Sequence, residues 1–192
     1  MTPRIDPRMT RSRAAVLSAT LELVAERGIP ATTVEAVAER SGVAKTTIYR
    51  QWPDRAALVL DAFDTILAPP VDPDTGTLRG DLLHLITALA DALTTGPAAA
   101  LMPALIDAAQ RDPAFAALHR REAERRHHVV LHAITRGVHR GELPADTDPA
   151  DLLDLLAGPL FHRRLISTAE LTRDFAERTV DLVLRAHTTP PT

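Results

Sequence analysis

The chain has no cysteine, a single lysine (Lys45), only 3% aromatic residues and no long apolar run. Without cysteine there are no disulfides, no thiolate-bound zinc or iron–sulfur centres and no cysteine nucleophile, and a reducing compartment fits such a chain. The longest stretch free of Asp, Glu, Lys, Arg and His is 15 residues, Ala92 to Ile106, and Gly96, Pro97 and Pro103 interrupt it. A membrane span needs roughly 20 consecutive apolar residues, so no membrane partner is expected. Arg4, Arg8, Arg11 and Arg13 open the chain, but Glu22 and Glu26 break the apolar stretch behind them. That does not read as a secretory signal, and the expected location is the cytoplasm.

With aromatics scarce, alanine and leucine carry the apolar fraction of 45%, and β-branched residues stand singly. This is the composition of a helical protein, and 192 residues are enough to bury a core without staples. The punctuation predicts an all-α fold of about nine helices and no strand. The first opens near Thr10 and stops at Gly28. The second begins at a capping box, Thr32 with Glu35 three residues on, and runs to about Ser41. A turn at Gly42 and Val43 leads to a short third helix from Ala44 to Trp52. Pro53 stops it, Asp54 caps the fourth, and that helix is expected to continue through Phe63 to Ala68.

Pro69, Pro70, Asp72, Pro73, Asp74 and Gly76 then make the one stretch that reads as a linker. Five helices follow, at about Leu78 to Thr94, Pro97 to Gln110, Pro113 to Arg140, Pro149 to Ile166 and Glu170 to His187. Asp112–Pro113 and Asp148–Pro149 each place a capping residue before a proline at the first helical position. Two domains are predicted, residues 10–56 and 57–187, with the fourth helix (54–68) as connector. Charge divides the same way. Through Ala56 there are nine basic and six acidic residues, a balance of +3; the remaining thirteen basic and nineteen acidic residues give −6. A basic N-terminal quarter on an acidic chain points to a separate anion-binding module.

Within that quarter the spacing is specific. Counting from Val34, Ala38 is fifth, Gly42 ninth, Val43 tenth and Ile48 fifteenth. Two steeply crossing helices need a small residue at their closest approach, a glycine where the turn takes positive φ, and apolar residues where the second helix packs on the first. The first helix supplies the floor for the pair. From Ala19 to Leu58 the chain resembles the DNA-binding domain of the TetR family of transcriptional regulators. The resemblance runs through Ala25-Glu26-Arg27-Gly28, the segment Thr32 to Val43, then Lys45, Thr47, Ile48, Tyr49 and Trp52 to Leu58. Looser motifs extend it over nearly the whole chain: Asp74 to Leu82, Gln110 to Pro113, Arg140 to Leu143 and Gly158 to Phe161.

The resemblance implies that the third helix enters the major groove, with Lys45, Thr46, Thr47, Tyr49, Arg50 and Gln51 facing DNA. Thr33 and Arg55 match positions that touch the DNA backbone. The residue chemistry agrees: hydroxyls and cations reach phosphates, and threonine methyls and arginine read base edges. Arg8, Arg11 and Arg13 are expected to precede the first helix as an arm on the flanking backbone. Three departures from the family pattern are visible: Ala44 stands where serine is common, Gln51 and Trp52 replace histidine and phenylalanine, and Thr46 replaces glycine.

The seventh helix carries His128 and His132 four residues apart, but no third ligand at a fixed offset, so no metal and no cofactor is expected. On the last two helices apolar residues cover well over half the circumference, whereas a surface helix needs one stripe. A second apolar face means either burial within the monomer or a partner. The resemblance implies a partner, a four-helix bundle made by two copies, with an interface of Leu152, Leu155, Leu156, Pro159, Leu160, Phe175, Thr179, Leu182 and Val183. It also implies an apolar pocket for a small effector, assigned to Phe63, Leu67, Leu89, Leu101, Met102, Leu105, Phe115 and His128, although the small residues there equally suit close packing. The expected function is a homodimeric, ligand-responsive regulator, most simply a repressor, on a pseudo-palindromic operator in double-stranded DNA. The alternatives are an effector-independent dimeric DNA binder, or a helical-bundle enzyme using Asp151, Asp154 and His162.

Overall fold

Among the described residues, 7–66, 71–167 and 169–187 of the computed structural model, nine helices and no strand are found. They are α1 (Pro7–Ala31), α2 (Val34–Ser41), α3 (Lys45–Gln51), α4 (Arg55–Asp64), α5 (Leu78–Thr94), α6 (Gly96–Ala109), α7 (Pro113–His139), α8 (Pro149–Leu165) and α9 (Arg173–His187). No single helix among them is long and apolar enough to cross a membrane. The described residues fall into two compact units, one within Met1–Ala68 and Ala100–Arg121, the other within Pro69–Ala99 and Glu122–Thr192.

Local signals set most helix ends. Gly28 breaks α1 at φ 76°, a conformation in which a side chain is strained. The Asp112 and Asp148 carboxylates accept from the amides of Ala114 and Ala150, both at 2.8 Å, capping α7 and α8 as predicted. The start of α2 differs from expectation by one residue. Thr33, not Thr32, is its cap, accepting from the Ala36 amide at 3.2 Å, while Thr32 is buried and donates to the Gly28 carbonyl at 2.9 Å. The connector is also shorter than expected. It ends at Asp64 because the Thr65 and Ile66 amides close a tighter turn on Ala62 and Phe63, and the Thr65 hydroxyl takes the Ala62 carbonyl.

In the first unit α1 is the floor. Val16, Leu17, Ala19 and Leu23 pack with Val34 and Val37 of α2, Ile48 and Trp52 at α3, and Leu58 and Ala62 of α4. The other side of α4 enters a second cluster, in which Val59 and Phe63 meet Val24, Ile29, Leu101, Leu105, Ala108, Phe115 and Leu118. Arg40 clamps α2 to α1 through a fork on Glu26, both bonds 2.9 Å, with Glu22 at 3.3 Å.

In the second unit α5 packs against both α8 and α9, which also contact each other. Their buried faces include Leu82, Ile86, Leu152, Leu156, Leu160, Ala176 and Val180. The loose motifs Asp74 to Leu82 and Arg140 to Leu143 turn out to be a fastening at the start of α5. Glu142 accepts from the Leu78 amide at 2.7 Å, and Thr77 caps through the Gly80 amide at 3.1 Å. Asp81, fully buried, accepts from the Thr75 amide and hydroxyl, both at 2.8 Å, and from Arg136 at 3.2 Å. Arg136 also holds Asp72 and the Pro73 carbonyl. Burial opposes ionisation of Asp81, but the Thr75 donors and the Arg136 guanidinium outweigh it and hold its carboxyl below the usual range.

Candidate nucleic-acid interface

The two helices that form the site are joined by a turn only glycine makes without strain. Gly42 takes φ 69° and its amide returns to the Ala38 carbonyl at 3.0 Å, closing α2. The Ser41 hydroxyl accepts from the Val43 amide at 3.3 Å, and α3 begins two residues later. Its cap position, Ala44, makes no side-chain hydrogen bond, the consequence expected of the missing serine.

Seven residues cannot hold a helix by themselves, so α3 depends on its docking. Ile48 is the one fully buried residue in it, at 0% exposure. At 100° per residue, Thr46 and Arg50 then point directly away from the core, and Tyr49 and Thr47 lie on opposite flanks. The exposure follows this geometry: Lys45, Thr46, Tyr49 (50%) and Arg50 are exposed, and Thr47 and Gln51 are half-buried. An exposed tyrosine beside two cations and two threonine hydroxyls is the chemistry of a face that meets phosphates and base edges.

Other predicted contacts are engaged within the chain. Thr33 is exposed but spends its oxygen on the α2 cap. Arg55 is half-buried, and its Nη1 donates to the carbonyls of Ile29 and Pro30, each at 2.9 Å, so it fastens the start of α4 to the end of α1. Arg8, Arg11 and Arg13 do not form an arm ahead of the first helix, because α1 already begins at Pro7. Arg13 donates to both Asp61 oxygens, at 2.8 and 2.6 Å, and its guanidinium lies over the Trp52 ring, 5.8 Å from the centroid. The Trp52 indole donates to the same carboxylate at 2.7 Å. This cluster and the Lys45–Glu35 pair at 3.4 Å join residues on different helices, and no local spacing marks them.

The residues assigned to an effector pocket divide between the two units. Phe63, Leu101, Leu105 and Phe115 are each at most 2% exposed and belong to the packed second cluster of the first unit, since apolar side chains of this size fill one another's gaps. Met102 is half-buried on α6. Leu89 and His128 belong to the other unit, Leu89 half-buried and His128 exposed with its ring parallel to that of His132, 6.3 Å between centroids. Leu67 lies outside the described residues.

The residues assigned to the dimer interface differ in burial. Leu152, Leu156, Leu160 and Thr179 are buried within the chain's own core. The other apolar arc is the outward one: Leu155 is 49% and Leu182 59% exposed, and Pro159, Phe175 and Val183 are half-buried. Asp151, Asp154 and His162 all lie exposed on α8.

A short helix presented on a glycine turn, docked by one isoleucine and offering cations, hydroxyls and a tyrosine to solvent, defines a helix-turn-helix DNA-binding protein. Residues 16–62 match the bacterial regulatory proteins of the tetR family, and residues 72–183 match the tetracyclin repressor-like C-terminal domain. The HTH-type transcriptional regulator YdeS of Bacillus subtilis is 35% identical over 183 residues, 94% of this chain and 90% of that protein. The DNA-binding transcriptional repressor TetR of Mycobacteroides abscessus is 34% identical over 91% of this chain and 92% of its own. Among solved structures, the TetR family transcription regulator SCO0332 is 34% identical, with a TM-score of 0.66 over 93% of this chain and 99% of that one. The chain belongs to the TetR family of DNA-binding transcriptional regulators.

Proposed function

We propose that the protein is a homodimeric repressor that reads a pseudo-palindromic operator in the cytoplasm with Lys45, Thr46, Thr47, Tyr49, Arg50 and Gln51, and that a small apolar effector releases it. The exposed face of α3 carries the DNA part of this reading, with Tyr49 and Thr46 free of any role in the core. The outward arc of α8 and α9 supports two copies. Leu155 and Leu182 sit at its centre, and beside them Gly158 is an exposed helical glycine with nothing within 4 Å of where its Cβ would be. Mid-helix glycine costs about 1 kcal/mol relative to alanine. Pro159 follows it inside α8, and before a helical proline a side chain is disfavoured, while the open space at its Cβ leaves room for a partner helix at close approach.

Repression has the M. abscessus relative on its side, and the effector has the match to the repressor-like C-terminal domain. An effector acts by binding better to the conformation with the lower operator affinity, with a coupling commonly about 1–3 kcal/mol. Selection of bound duplexes from a random pool tests the reading. Two chains on each two-fold site are expected, and Tyr49→Ala with Lys45→Ala should abolish enrichment. An unchanged binding constant in that double variant would remove α3 from the interface. A second reading, a dimeric DNA binder without an effector, draws on the close packing of Phe63, Leu101, Leu105 and Phe115. A small-molecule library that never lowers affinity for the selected duplex would favour it.

A further inference from the structure

We propose that Asp61 is a positioning residue for DNA recognition, fixing the C-terminal end of α3 through the Trp52 indole; this rests on α3 being the recognition helix. Three helices converge on the Asp61 carboxylate. Its Oδ2 accepts from Trp52 Nε1 at 2.7 Å, and both oxygens accept from Arg13 Nη2 of α1. Trp52 is the residue that closes α3, its amide returning to the Ile48 carbonyl at 2.9 Å.

The other restraints on α3 are few. Its N-terminal cap has no side-chain bond, its lysine makes one exposed ion pair, and Ile48 is its one fully buried side chain. A short helix docked on a single plug is free to rotate about it unless an end is fixed. Trp52 packs into the same core as Ile48, and apolar packing is non-directional. A phenylalanine would keep an aromatic ring in that core while leaving part of the indole's volume unfilled. The indole N–H adds what packing lacks, a directional bond to a charged acceptor. Asp61 is itself held by Arg13, whose Nη2 donates to both carboxylate oxygens, so the carboxylate ties the C-terminal end of α3 to α1 and α4.

Base readout depends on sub-ångström placement of side chains, whereas phosphate contact depends mainly on charge. Loss of the latch is therefore expected to reduce specific binding more than non-specific binding. The probe is the duplex selected from a random pool by the wild-type chain, with a scrambled duplex of equal length beside it. Trp52→Phe and Asp61→Ala should each weaken the selected duplex about three- to tenfold, a part of the worth of a hydrogen bond to a charged acceptor. The double variant should lose no more than the larger single loss. Asp61→Asn retains an acceptor for the indole and should recover most of the affinity. All four variants should bind the scrambled duplex as the wild type does.

Trp52 is the chain's only tryptophan, so its indole N–H resonance in the DNA-free protein reports the latch directly. The resonance should move in Asp61→Ala and stay near its place in Asp61→Asn. Wild-type affinity in Trp52→Phe, additive losses, or an equal fall on both duplexes would each overturn the proposal. Should Asp61→Ala fail to fold, Trp52→Phe and Asp61→Asn decide it together: loss of selected-duplex affinity in the first with recovery in the second supports the latch, and equal losses in both overturn it. A wild-type chain that selects no duplex overturns the recognition-helix reading instead.

Discussion

The Lys45 ammonium lies 3.4 Å from the Glu35 carboxylate, so the one lysine of α3 is paired to the preceding helix. Both side chains are exposed, and Glu35's own amide and the lysine hold its carboxyl below the usual range. Lys45 must leave this partner, or share it, to neutralise a phosphate. Glu35→Gln should therefore raise affinity for any duplex about two- to fivefold, the worth of an exposed pair. Lys45→Ala should lower affinity and reduce the slope of log K against log salt by about 0.9, one phosphate contact. Titrations from 50 to 300 mM salt read both. Weaker binding in Glu35→Gln would mean that the carboxylate itself touches a base.

The outward arc of α8 and α9 leads to a second expectation. Leu155 and Leu182 have no core to lose, being 49% and 59% exposed in the single chain. Leu182→Glu should leave the thermal midpoint of the monomer unchanged. Burying a leucine at an interface stabilises by about 1.5–3 kcal/mol, and two symmetry-related copies are lost together in a two-fold dimer. The dimer dissociation constant should rise by at least about tenfold, measured by sedimentation. Gly158→Leu should have the same direction by filling the opening a partner helix needs. An unchanged sedimentation profile in both variants would place the interface on another face.

The features that were legible in sequence are those decided within one turn of chain. Asp112–Pro113 and Asp148–Pro149 cap their helices as written, because cap and amide are two residues apart. Thr32 and Thr33 compete for one cap, and burial of Thr32 beneath the first helix's end decides between them, which is a tertiary fact. The two apolar arcs of α8 were visible, but periodicity does not say which faces inward; Leu152, Leu156 and Leu160 do, and Leu155 does not. For the site, the outward phase of Thr46, Tyr49 and Arg50 follows from Ile48 alone. Arg55 reads as a DNA contact from the resemblance, and Arg13 as part of an arm ahead of the first helix. Their partners within the chain, the Ile29 and Pro30 carbonyls and Asp61, lie 25 to 48 residues away.

Ala44 offers a gain rather than a loss. It occupies the α3 cap with backbone angles of φ −57° and ψ 137° and no side-chain bond, close to the extended geometry in which a serine hydroxyl reaches the amides two or three residues on. Ala44→Ser should stabilise the first unit by about 0.5–2 kcal/mol. Chemical denaturation followed at Trp52 reads it, since that residue sits at the other end of the same helix. No stabilisation would show that the cap amides are already satisfied by water at no net cost.

The fastening at the start of α5 sets the response to acid. Asp81 and Asp72 are both held below the ordinary carboxylate value of 3.8 in the folded chain. Burial works against this in both, but Asp81 has the Thr75 donors and Arg136, and Asp72 has His132 and Arg136. A folded-state value below the unfolded one means that the unfolded chain takes up protons first as pH falls. The stability these groups supply is complete above about pH 4 and disappears as pH drops through their depressed folded values. Asp81→Asn removes charge from a fully buried acceptor of the Arg136 guanidinium. It should cost about 1.5–3 kcal/mol at neutral pH. Between pH 4 and 2 the variant should lose less stability than the wild type, because one of the linked protons is gone. Thermal midpoints of the two proteins from pH 7 to 2 should therefore converge on the acid side. Parallel curves would show that the acid transition belongs to other carboxylates.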